Sequence, residues 1–79
     1  MVTYELTETT QTHYYYAYFV EGDKTDVGVV SLSLQTREAN VEKFAKSDNR
    51  KKYGFHLVTA LEDMATRECL KDSGTIMWY

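Results

Sequence analysis

The chain has 79 residues, 43% hydrophobic and 27% charged, with a formal net charge of −3. That length makes one domain, 1–79, whose thin core hides about 60% of the surface the unfolded chain exposes. The composition excludes a disordered chain, and the acidity argues against a protein that coats nucleic acid.

Proline is absent and glycine occurs four times, so no linker or low-complexity tail is expected. The longest apolar run, Tyr14 to Val20, is far short of the roughly 20 residues a spanning helix needs, so no membrane partner is expected. The N-terminus lacks a basic start followed by an apolar stretch, which argues against a signal peptide. Cys69 is the only cysteine. It cannot form an internal disulfide, and a small domain without such staples suits a reducing, cytoplasmic setting.

In chain order, Val2, Tyr4 and Leu6 alternate with Thr3, Glu5 and Thr7, which predicts a half-buried strand over Val2–Glu8. Thr9 to Thr12 reads as a turn, and His13–Glu21 as a second strand rich in aromatics. Gly22 to Thr25 carries turn chemistry, and Val27–Gln35 is the third strand. Thr36 suits the N-cap of a helix from Arg37, with Val41, Phe44 and Ala45 as its buried stripe and Glu42 with Lys46 as an i,i+4 pair. Ser47, Asp48 and Asn49 break that helix. A second helix is expected from Lys52 or Phe55 to Leu70, with Leu57, Leu61, Met64 and Ala65 on one face; Tyr53 to Thr59 also fits an extended segment. Gly74 is expected in a left-handed turn, and Thr75–Tyr79 as a last strand beside the first or the third. The expected fold is an α+β domain: an antiparallel sheet of four strands in the order strand-strand-strand-helix-helix-strand, with both helices on one face.

The second strand is apolar on both faces, so its neighbours must orient it. Even-length loops in both hairpins set Leu6 and Leu32 opposite Tyr15, and Tyr4 and Val30 opposite Ala17. Tyr15, Ala17 and Phe19 then join the core with Leu6, Leu32, Phe44, Leu57 and Leu61. Tyr14, Tyr16 and Tyr18 face outward with Thr3, Glu5, Ser31 and Ser33. Three exposed tyrosines approach the few hundred Å² of apolar patch that marks a contact surface, so Tyr14, Tyr16, Tyr18 and Glu5 are the candidate partner-binding residues.

Charge is segregated. Residues 1–26 hold five acids against Lys24 alone, while residues 37–52 hold six bases against three acids. Arg50, Lys51 and Lys52, beside Tyr53, form an alternative binding surface for a phosphate backbone or an acidic partner. His13, His56 and Cys69 have no metal-site spacing, and Cys69 is expected to pack at the end of the second helix. No phosphate loop or nucleophile elbow is present, so neither an enzyme nor a cofactor is expected. Trp78 and Tyr79 could bridge to a second copy through the last strand.

A tiny acidic α+β chain without a catalytic motif resembles, at the level of size and fold alone, the accessory and inhibitor proteins of phages and mobile elements, anti-CRISPR proteins among them. The resemblance implies a non-enzymatic protein-binding module that covers a site on a larger target. The alternative is a nucleic-acid binder that stacks bases on the tyrosine face and holds phosphates with Arg50 to Lys52.

Overall fold

Two hairpins build the centre of the sheet. In the computed structural model, which describes residues 1–77, β1 (Val2–Thr9) pairs with β2 (His13–Val20), and β2 with β3 (Val27–Ser33). β4 (Ala39–Lys43) adds to the far side of β3, α1 (Lys52–Thr66) crosses one face, and β5 (Ser73–Ile76) returns beside β1. The result is one antiparallel sheet of five strands in the order β4-β3-β2-β1-β5. The antiparallel α+β class agrees with the sequence; the expected pair of helices and four strands does not.

The expected helix from Arg37 is instead a turn and a strand. Arg37, expected as the first helical residue, sits at φ 63, a left-handed conformation outside the right-handed helix. Its N–H bonds the Ser33 carbonyl, and the Ser33 N–H bonds the Glu38 carbonyl, closing a tight reversal into β4. Ala39 is buried, Asn40 exposed and Val41 half-buried, a period of two where the sequence spacing suggested three and four. The open edge of β3 decides this, because pairing there satisfies the strand's backbone groups, which a helix over 37–46 would leave unbonded. Glu42 does not pair with Lys46; it accepts a hydrogen bond from Ser31 Oγ at 2.9 Å.

The register is one residue away from the expected one, for two independent reasons. Near the first turn, Thr9 opposes Tyr14 and Glu8 opposes Tyr15, as an even loop requires. A bulge at Thr7 then shifts the pairing, so Leu6 opposes Tyr16, Tyr4 opposes Tyr18 and Val2 opposes Val20. In the second hairpin the connection between the last paired residues, Phe19 and Val27, is odd in length. Each change alone turns the side chains over. Tyr14, Tyr16 and Tyr18 therefore face α1, while Tyr15, Ala17 and Phe19 lie on the opposite face. Tyr16 and Tyr18 are 1% and 0% exposed, so the proposed outward stripe is core.

The core joins these tyrosines to Val2, Val30, Leu32, Leu57 and Leu61, each 0% exposed. Burying each aliphatic side chain contributes about 1.5–3 kcal/mol. Phe44 is only half-buried and packs edge-on to Phe55, away from this centre. Glycines make room for the large rings. A Cβ on Gly28 would lie 2.0 Å from the Tyr18 ring, and one on Gly74 would lie 2.9 Å from the Tyr4 hydroxyl. Gly74 is thus a strand residue beneath a tyrosine, and not the left-handed turn expected of it.

The start of α1 depends on a buried carboxylate. Asp48, 4% exposed, accepts the N–H of Tyr53 at 3.1 Å and that of Gly54 at 2.8 Å. The same group accepts the Tyr18 hydroxyl at 2.9 Å, and that hydroxyl accepts the Ala45 N–H at 3.0 Å. Tyr53 to Thr59 is helical. The helix stops at Thr66, short of Leu70, because Glu68 turns left-handed at φ 57. The Glu68 and Cys69 N–H groups bond back to Ala65 and Met64, the Schellman closure of a helix end. Cys69 is exposed there, not packed. Trp78 and Tyr79, the residues of the expected dimer contact, lie outside the described residues; β5 itself is an edge strand.

Tyr18→Phe should cost about 1.5–3 kcal/mol, because it removes a hydrogen bond to a buried charge and strands the Ala45 N–H. Tyr15→Ser, on the uncovered face, should melt as a folded protein. Urea unfolding of the two variants checks this, and a native Tyr18→Ser beside an unfolded Tyr15→Ser would refute the register. Burial, with lesser effects of Tyr4, Tyr14 and Asp72, pushes the Tyr16 hydroxyl up to about 12 from 10.0. The unfolded chain therefore loses this proton first, and stability should fall as pH rises from about 10 to 12. Tyr16→Phe should flatten that alkaline loss in melting curves.

Candidate functional site

The central strand presents apolar side chains on both faces, and α1 covers only one. On the other face lie Tyr15, Ala17 and Phe19 of β2 and Val27 and Val29 of β3. Glu5 stands directly opposite Ala17, and Thr3 opposite Phe19. No second layer covers this face among the described residues, since the one helix there packs on the core side. Of the predicted set Tyr14, Tyr16, Tyr18 and Glu5, Glu5 alone is exposed on this face, and its neighbours are the other three residues of β2. The face holding Tyr15, Ala17 and Phe19 was missed, although the double-faced apolar pattern of β2 was its signal; Tyr15 is half-buried there, and Ala17 and Phe19 are 7% and 5% exposed.

Local side chains partly sheathe the bare face. Lys24 places its ammonium 5.7 Å from the Phe19 ring centroid, and Phe19 is 5% exposed. Glu42 reaches back over Ser31. His13 stacks on Tyr15 with centroids 6.2 Å apart. Between Phe19, Lys24 and β5 a groove of about 380 Å³ opens, walled by Thr3, Glu5, Gly22 and Thr75. The buried Thr3 Oγ1 at this groove has no hydrogen-bond partner among the described residues.

The alternative surface lies elsewhere, where the 44–51 connection enters α1. Lys51 is the N-cap, Lys52 the first helical residue, and Arg50 and Lys52 line a cavity of about 250 Å³ with Asn49 and Tyr53. The charge segregation read from the sequence is partly cancelled in space. The Tyr53 hydroxyl donates to Glu21 at 3.0 Å, and Glu21 also holds the N-terminal ammonium. Those two hydrogen bonds pull the Glu21 carboxyl below its usual range, and the Glu21 acceptor raises Tyr53. Asp26 accepts the N–H groups of Lys46 and Ser47 and the Ser47 hydroxyl, at 2.7, 2.8 and 2.6 Å. These bonds, the hydroxyl first, lower the Asp26 carboxyl and fasten the connection to the β2–β3 hairpin.

His13 bonds Thr12, and no group of three or more His, Cys, Asp or Glu residues among those described could hold a metal ion. No described helix is long and apolar enough to cross a membrane. Comparison with protein-family models, curated proteins and solved structures finds no match.

Asp26 gives a pH test. Its native pKa lies below the unfolded value of 3.8, so its stabilisation is complete above that value and is lost as pH falls through the native one. Asp26→Asn should therefore lower the melting temperature at neutral pH and reduce its dependence on pH below about 4. An acid limb identical to that of the parent protein would show that this contact contributes nothing.

Proposed function

We propose that the protein is a small non-enzymatic binding module that covers a site on a larger protein with the bare face of its sheet, in the manner of an inhibitor or accessory protein. One observation supports this reading most: β2 is apolar on both faces while the one described helix packs on only one, leaving Tyr15 and Val29 half-exposed on the other beside the buried Ala17 and Phe19. The molecule exposes 5151 Å², so a footprint of ~800 Å² would take about one sixth of it. Half-buried Tyr15 supplies the aromatic anchor, and Glu5, Lys24 and Glu42 supply a polar rim, the usual division of an interface. An exposed, unpaired Cys69 fits a reducing compartment such as the cytoplasm. The nucleic-acid reading loses its stacking platform with the burial of Tyr16 and Tyr18 and keeps only the basic connection.

The test is capture from source lysate with a photo-crosslinker at Val29, followed by mass spectrometry. One protein species should cross-link with the parent chain. It should be lost with Tyr15→Ser/Ala17→Glu, which keeps the native circular dichroism, and retained with Lys71→Glu on a remote loop. Equal capture by the bare-face variant and the parent chain would end this reading.

A further inference from the structure

The sheet ends on an open edge at β5. Among the described residues β5 pairs with β1 alone and closes the order β4-β3-β2-β1-β5. The Leu6 N–H bonds the Asp72 carbonyl. Bonded and open pairs alternate along an antiparallel ladder, so Gly74 and Ile76 turn their backbone groups to β1, while Ser73 and Thr75 turn theirs outward. The side chains of Ser73 and Thr75 are exposed on the bare face, opposite Glu5 and Thr3. Met77 follows at the same parity and is 63% exposed. The two edges of the sheet differ. β4 carries a bulge in its pairing with β3 and shows Asn40, Glu42 and Lys43 to solvent, devices that keep an edge from pairing. Residues 73–77 hold no charge and no proline.

We propose that β5 pairs antiparallel with β5 of a second copy, on a two-fold axis at Thr75. Such a contact is isologous: each copy donates and accepts through the same outward N–H and C=O groups, and no charge is brought against itself. In this register Ser73 of one copy stands opposite Met77 of the other. The second copy's Met77 then lies on the bare face at the β5 side of the groove of about 380 Å³, beside Ser73, and completes its wall. An extended segment of another protein would use the same backbone groups. What favours the second copy is that the two-fold brings the chain's own exposed methionine to the groove. Pairing of β5 with β4 would repeat without closing, and the bulge and charges of β4 oppose it. Tyr15 and Val29 lie on β2 and β3, away from this edge, so the dimer and the binding reading above can fail separately.

The test uses the full chain carrying Cys69→Ser. Adding Thr75→Cys should give a disulfide-linked dimer under mild oxidation, because the Cα atoms of a bonded antiparallel pair lie about 5.5 Å apart, within disulfide reach. Asn40→Cys, on the other edge, should stay monomeric under the same conditions. Sedimentation of the parent chain should show a dimer that grows with concentration. Thr75→Pro removes an outward donor and spares the bonds to β1, so it should keep the native circular dichroism and remain a monomer. Met77→Glu should weaken association about tenfold by placing a charge at the pairing edge. Should Thr75→Pro fail to fold, the cross-link and Met77→Glu decide. Equal cross-linking of Thr75→Cys and Asn40→Cys, or a dimer kept by both Thr75→Pro and Met77→Glu, would overturn the proposal. A parent chain that is monomeric at millimolar concentration would also overturn it and leave the edge to an extended segment of another protein.

Discussion

The hydroxyl of Tyr18 is where sheet, connection and helix are tied together. It comes from the central strand, donates to Asp48 and accepts from Ala45, while Asp48 caps the first turn of α1. A buried carboxylate is costly unless its lone pairs are filled, and here the filling groups come from two separate segments, β2 and the first turn of α1. The helix can start only where those groups converge, which sets its position over the sheet. Burial, the largest influence, raises the Tyr18 hydroxyl well above the ordinary tyrosine range, so it stays a neutral donor at any physiological pH.

From that constraint follows a molecule with one dressed face and one bare face. With a single helix among the described residues, the sheet has one covering layer, and Tyr16 and Tyr18 of β2 gather beneath it. The other side of the same strand keeps Tyr15, Ala17 and Phe19, sheltered only by Lys24, Glu42 and their in-plane neighbours. A sheet this small gains from apolar side chains on both faces, because each adds cross-strand packing of about 0.2–1 kcal/mol per pair. The bare face thus has a folding role of its own, beside the binding role proposed for it.

The electrostatics follow the same division between structure and surface. Asp26, Asp48 and Glu21 hold backbone or terminal groups in place, so much of the acidity of the chain serves to pin loops. Lys43, Arg50 and Lys51 form no ion pair with another described residue and remain at the surface. Net charge alone would suggest an acidic protein with basic partners, whereas residues 43–51 hold four bases against one acid. Local potential, more than the sum, steers encounter.

The sequence by itself determined the α+β class, the three leading strands, the helix from Lys52 and its buried Leu57, Leu61 and Ala65. Each is written in a local period or a turn signal. Glu5 was legible as a surface residue for the same reason. Tertiary structure alone decided the face of the tyrosines, the identity of residues 39–43 and the place of the last strand. Strand register is a parity, and a single bulge at Thr7 reverses it without leaving a mark in a stretch of alternating polar residues. Val41, Phe44 and Ala45 fit a helical stripe, yet the free edge of β3 and the left-handed Arg37 draw the segment into a strand. β5 joins β1 because Gly74 there leaves room for the Tyr4 ring. In each case the deciding contact joins residues far apart in the chain, which no local pattern records.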